Sequence, residues 1–167
     1  MRFLSVAVVA SSMAASCFAA SGYGHLQFGQ ASIQHEGYRQ PSTGITGFGI
    51  RFQDLSIELS YLAFSEFKTT AQPHSYIKLF GTRFAAKYRT RFGDAHPYLG
   101  VSSNYYRGSA YHDDLVLARV HDESYGGLAG IEFQLNPDLL FLLQADYVEE
   151  VLGQELLQWT LGLRKEW

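Results

Sequence analysis

The sequence predicts an all-β fold: an eight-stranded antiparallel up-and-down transmembrane β-barrel, preceded by a cleaved signal peptide. Three observations predict it. Apolar and polar residues alternate with period two over most of the chain after residue 20. The polar connections between these segments alternate long and short, the pattern of a barrel with long outer loops and short periplasmic turns. The last segment, Leu157 to Trp167, sets Leu157, Trp159, Leu161, Leu163, Lys165 and Trp167 on one face, apolar but for the lysine, and ends on an aromatic residue. Alone, that segment would also fit the terminal strand of a soluble sandwich, but a soluble sandwich has no reason to sort its loops by length.

Composition sets the bounds. The 167 residues make one domain, and a net charge of -3 with a pI near 6.0 gives no reason to expect nucleic acid as a partner. Apolar residues reach 47% while mean hydropathy is only -0.08, so apolar mass is interleaved with polar residues instead of gathered into runs. The one long apolar stretch is N-terminal. Arg2, the apolar run Phe3–Ala10 and the small residues of 11–20 read as a signal peptide over residues 1–20, cut after Ala19 or, as second choice, after Ala20. Lipidation at Cys17 is the lesser alternative. Cleavage removes the one cysteine, so residues 21–167 are expected to form a barrel domain without thiol chemistry. No later stretch approaches the roughly 18 continuous apolar residues of a membrane helix.

Eight strands follow in order. Gly22–Gln34 sets Leu26 and Phe28 against His25 and Gln27. Ile45–Phe52 sets Thr46, Phe48, Ile50 and Phe52 outward, opposite Gly47, Gly49 and Arg51. After the tight turn Gln53-Asp54, Leu55, Ile57, Leu59, Tyr61 and Ala63 oppose Ser56, Glu58 and Ser60. The fourth strand, Tyr76–Phe92, turns Phe80, Thr82, Phe84, Ala86 and Tyr88 to lipid and Arg83, Lys87, Arg89 and Arg91 to the lumen. Gly93–Pro97 is a turn, Tyr98–Tyr106 the fifth strand and Tyr125–Leu135 the sixth, with Glu132 inward. Asn136-Pro137-Asp138 is a turn by its chemistry, Leu139–Tyr147 the seventh strand, and Leu157–Trp167 the eighth. The long connections are 35–44, 65–75, 107–123 and 149–155. Each segment reaches the roughly 9 to 11 residues that cross a bilayer at a tilt, the second only by borrowing from its loop.

The segments Leu55–Tyr61, Pro97–Val101 and Gly126–Pro137, with the aromatic terminus, resemble the small outer-membrane barrels of the OmpA and OmpX/opacity type. The resemblance spans the mature chain and specifies the superfamily, not a member. It implies a cell outer-membrane location and, in Trp159, Leu161, Leu163 and Trp167, a C-terminal signal for the barrel-assembly machinery; Lys165 departs from that pattern. It also implies a monomer surrounded by outer-membrane lipid and lipopolysaccharide. The long loops would offer the surface for an extracellular ligand.

An eight-stranded barrel has an interior just wide enough for side chains to fill. Inward charges must therefore meet. Glu58, Lys87, Glu132 and Arg164 fall three or four residues up from the short turns and are expected in one layer, with Glu58 and Lys87 facing each other. Arg83, Arg89 and Asp146 complete the expected network. The same pairing in the OmpA barrel is proposed as a gate; the expectation here is a plug. His25, His35, His74, His96, His112 and His121 show no metal-ligand spacing, and no His-x-Ser triplet of a lipid A deacylase is present. The expectation is a structural or surface-interaction protein, not an enzyme, with no cofactor or metal. The alternatives are a lipid-A-modifying barrel enzyme and a slow solute pore.

Overall fold

The computed structural model describes residues 20–33, 39–68 and 74–167; the expected signal peptide lies outside the described residues, apart from Ala20. The described residues hold nine strands: β1 (Ala20–Ile33), β2 (Ser42–Phe52), β3 (Leu55–Phe64), β4 (Phe67–Lys68), β5 (Ser75–Arg89), β6 (Ala95–His112), β7 (Leu115–Asn136), β8 (Leu139–Val151) and β9 (Gln154–Glu166). Strand β4 is a two-residue addition on β5. The other eight pair antiparallel with their neighbours, and β3 pairs with β5. Strand β9 pairs with β1 from Tyr23–Glu166 to Ile33–Leu156 and closes the ring. Closure leaves the wall without an edge whose backbone groups would go unpaired in lipid.

Alternation decides which side chains go where. Leu26, Phe28, Phe48, Ile50, Leu59, Phe84, Leu99, Val101, Leu161 and Leu163 are all exposed on the outer surface. Glu58, Arg83, Lys87, Glu132, Gln144 and Arg164 are buried within. A water-soluble domain has the opposite arrangement; this one matches an apolar belt around a polar interior.

Two of the expected long loops are not loops. Strand β6 runs on to His112 and β7 begins at Leu115, so 107–123 is mostly a raised hairpin turning at Asp113-Asp114. Both aspartates have positive φ (46° and 63°), the mirror-image turn whose twist suits a tight hairpin. Strands β8 and β9 likewise meet at Leu152-Gly153, with φ of 58° and 74°, replacing the loop 149–155. Polar composition misled here, because these strand ends lack the apolar face that marks the rest of the wall in sequence. Strand limits move for the same reason. β5 ends at Arg89 and β6 starts at Ala95, so Gly93-Asp94 alone turns the chain between the bridged pair Phe92–Ala95.

The interior is filled by a recurring cross-strand pair. Tyr23 is registered opposite Gly49, Tyr98 opposite Gly130, and Tyr106 opposite Gly81. A Cβ built on Gly49 would lie 2.3 Å from the Tyr23 ring, and one on Gly130 would lie 2.4 Å from the Tyr98 hydroxyl. Each ring lies flat across a missing side chain, which is how a narrow barrel accommodates tyrosines. Gly127 on the same strand has no atom nearer than 3.9 Å to a built Cβ. Gly130→Ala is therefore expected to lose about 1–3 kcal/mol in urea unfolding through overpacking, and Gly127→Ala far less. Equal losses at the two positions would contradict this packing account.

Candidate functional site

The lumen has three layers. At the loop end, Ala31, Ile45, Leu62, Phe67, Leu79, Tyr106, Val148, Val151 and Leu156 form one buried apolar cluster, with Phe64 and Leu152 against it. Phe67 comes from β4 and is wholly buried. Within the connection 65–75 the Phe67 ring turns inward; residues 69–73 of it lie outside the described residues. The rings of Phe64 and Phe67 are 5.6 Å apart, and Phe64 continues to Tyr106 at 6.2 Å. Inward positions of β1, β3 and β5 switch from polar to apolar toward this end, a change visible in sequence only once the strand parity is known.

Beneath this cap lies the charged layer. Glu58 receives Lys87 Nζ at 2.7 Å, Arg83 at 3.0 Å and the Ser60 hydroxyl at 2.8 Å. Arg83 also donates to Asp146 at 3.0 Å. Glu132 joins Arg164 at 2.5 Å and Arg89 at 3.3 Å. The structure brings together all seven charged residues singled out from the sequence. One detail differs. Glu58 is registered opposite Ala85 and Lys87 opposite Ser56, so the pair meets on the diagonal and not face to face. Strand stagger, which alternation does not encode, sets that offset.

Neutral partners complete the layer, and sequence reasoning did not assign them to it. Gln144 accepts from Lys87 at 3.1 Å and from the Tyr98 hydroxyl at 2.7 Å, and donates to Asp146 at 2.9 Å. The Arg164 guanidinium stacks 3.8 Å from the Tyr23 ring centroid, a cation–π contact. The cross-strand glycines were the available signal for both tyrosines. His25 Nε2 lies 3.3 Å from the Ser60 hydroxyl and 3.4 Å from Glu58, while its Nδ1 meets Gln27 at 3.0 Å. This is not a catalytic triad. The acid contacts the serine and the same imidazole nitrogen, and the far nitrogen meets the neutral amide of Gln27, so no acid orients the ring from that side.

The third layer, at the short-turn end, is a cavity of about 350 Å³. Arg51, Arg89, Arg91, His96, Gln134 and Glu166 line it, and Arg51 is paired with Glu166. The C-terminal side chains sit outside the barrel: Trp159, Leu161, Leu163 and Trp167 are all exposed, and Lys165 shares their face. The Trp167 amide donates to the Gly22 carbonyl at 3.0 Å, and its indole lies against Gly22 and Gly24 across the closing seam. Gly22→Leu is expected to displace that indole and slow barrel closure, read as a lower folding rate into lipid vesicles with Trp167 fluorescence as probe. An unchanged rate would contradict the packing role given to the seam.

At the loop end, the Tyr76 hydroxyl donates to Asp114 at 2.8 Å, and this bond to a carboxylate pushes the phenol up to about 12. His74 and His112 each lie 3.5 Å from Asp113. Among the described residues no group of three or more His, Cys, Asp or Glu is arranged to hold a metal ion.

No protein-family model matches the sequence, and no curated protein matches it. Solved structures do. Neisserial surface protein A superposes with a TM-score of 0.69 at 19% identity, covering 89% of this chain and 97% of the other. Ail of Yersinia pestis, solved with the heparin analogue sucrose octasulfate, gives 0.66 at 13% identity over 89% and 99%. The N-terminal β-barrel domain of Pseudomonas aeruginosa OprF gives 0.63 at 15% identity over 87% and 97%. The chain has the fold of the small eight-stranded outer-membrane β-barrels.

Proposed function

We propose that this chain is an outer-membrane barrel with a structural or surface-interaction role, lying in the bilayer with its short turns in the periplasm and its lumen plugged. The observation that carries the reading is the inversion of polarity, an apolar belt outside a ring of buried ion pairs. The plug rests on two layers in series, the apolar cap and the charged network, whose charges are held by side-chain partners. Residues 1–20 would be removed as the signal peptide, and the barrel would stand as a monomer. Trp159, Leu161, Leu163 and Trp167 would be read by the assembly machinery.

Surface contact would fall to the raised wall of β5, β6 and β7, whose tip exposes Leu115, Val116 and Leu117. Ail carries a heparin analogue in its structure. Among the described residues at the loop end of this chain Glu66, Asp113, Asp114, Asp122, Glu123, Glu149, Glu150 and Glu155 outnumber Arg39, Lys68, Lys78, Arg107 and Arg119. A polyanion is thus the poorer fit, and a cationic or apolar partner the better one.

The membrane reading is tested by gel mobility. Unboiled protein from the outer-membrane fraction is expected to migrate apart from boiled protein. Identical mobility, or recovery in the soluble periplasm, would count against a barrel in the membrane. Lipid A from cells with and without the protein is expected to have the same acyl pattern; a changed pattern would make the chain an enzyme.

A further inference from the structure

The cavity at the short-turn end holds more positive charge than its partners neutralise. Among the described residues the ion pairs of the lumen set five cations, Arg51, Arg83, Lys87, Arg89 and Arg164, against the carboxylates of Glu58, Glu132, Asp146 and Glu166. One positive charge is left over inside. Arg91 on the cavity rim adds another and makes no ion pair among the described residues. Glu132 is divided between Arg89 and Arg164, so the inner wall is the under-neutralised part.

Two buried side-chain nitrogens there also lack partners. Arg89 Nε and His96 Nδ1 have no hydrogen bond, although Arg89 is 6% exposed and His96 is 7% exposed. Leaving a buried polar atom unmatched costs about 1–3 kcal/mol, more when the group is charged. Both residues line the same cavity. The cavity is blind as well, because the charged layer and the apolar cap fill the barrel beyond it.

We propose that this vestibule is a binding site for an oxyanion of the phosphate class, entered from the short-turn end. A tetrahedral oxyanion offers acceptors in several directions, as donors dispersed over β5, the connection after it and β6 require. Guanidinium groups bind it through charge-assisted hydrogen bonds. Arg91 supplies the open charge, Arg89 Nε and the Nδ1–H tautomer of His96 the inner donors, and Gln134 a neutral wall. Glu166 occupies one side and stays tied to Arg51, so a second carboxylate does not compete for the free donors. The role goes beyond the structural one proposed above and does not require the barrel to be in a membrane.

The test is nuclear magnetic resonance titration of the refolded full barrel in zwitterionic detergent, at constant ionic strength. Inorganic phosphate is expected to shift the backbone amides of Arg91, Gly93, His96 and Gln134 saturably, while sodium chloride does not. Arg91→Gln, which leaves every ion pair of the network in place, is expected to weaken the phosphate response by about fivefold or more. His96→Phe, which removes the inner donor, is expected to weaken it as well. A second arm places the barrel in nanodiscs of phosphatidylglycerol or phosphatidylcholine without phosphate. Shifts at the same amides only in phosphatidylglycerol assign the site to a lipid headgroup; shifts with phosphate alone assign it to a soluble phosphate. Equal, unsaturating responses to phosphate and chloride, or no response in either arm, would overturn the proposal. A barrel that refused to enter nanodiscs would count against the membrane reading and leave the phosphate arm decisive for the site.

Discussion

Glu58→Ala is expected to cost about 3–5 kcal/mol in equilibrium urea unfolding, the range for removing one partner of a buried ion pair. Few side chains in this barrel concentrate as much on one group. Lys87, Arg83 and Ser60 donate to its carboxylate, the Tyr23 hydroxyl is 3.4 Å away, and Arg164 is 3.8 Å away. Without it, Arg83 still has Asp146, but Lys87 keeps only Gln144 and the Tyr98 ring. Changing Glu58 to Leu and Lys87 to Met together is expected to restore most of the loss, because an apolar pair of similar volume leaves no uncompensated charge. A single change that cost nothing would mean that the layer is watered and not packed.

The second large effect belongs to the cap. Phe67→Ala is expected to raise amide exchange at Phe67 and Ile77 by about 100-fold, the equivalent of roughly 3 kcal/mol for deleting a buried ring. The loss should be local. Among the described residues strand β4 has two registered pairs with β5, Phe67–Ile77 and Lys68–Tyr76, and one backbone bond from the Arg39 amide to the Lys68 carbonyl, so the buried ring carries most of its docking. The main transition, carried by the eight-stranded wall, is expected to move far less. Exchange unchanged at those amides would show that β4 is held by something other than its phenylalanine.

Much of this was legible in the sequence because a barrel has one strict rule, alternation, and this chain obeys it where lipid would demand it. Phe80, Phe84 and Tyr88 outward with Arg83, Lys87 and Arg89 inward follow from counting by two along β5. Register does not follow from that count, which is why the diagonal of Glu58 and Lys87 escaped. The raised β6–β7 hairpin escaped for a different reason. Once strands leave the bilayer neither face must be apolar, so His112 to Glu123 looks like a loop although it is mostly paired. The cap escaped because Ile45, Leu62 and Leu79 are apolar residues at positions that lower in the same strands are polar. A rule that assigns apolar residues to lipid cannot find an apolar plug.

Planar-bilayer recording of the purified barrel tests the central claim, a closed wall around a sealed lumen, most directly. With both the charged layer and the apolar cap in place, the expected trace shows no conductance steps at any applied voltage the membrane withstands. Glu58→Ala alone should stay silent, because the cap remains. Reproducible steps from the unaltered protein, abolished by boiling before insertion, would contradict the account and make the chain a pore.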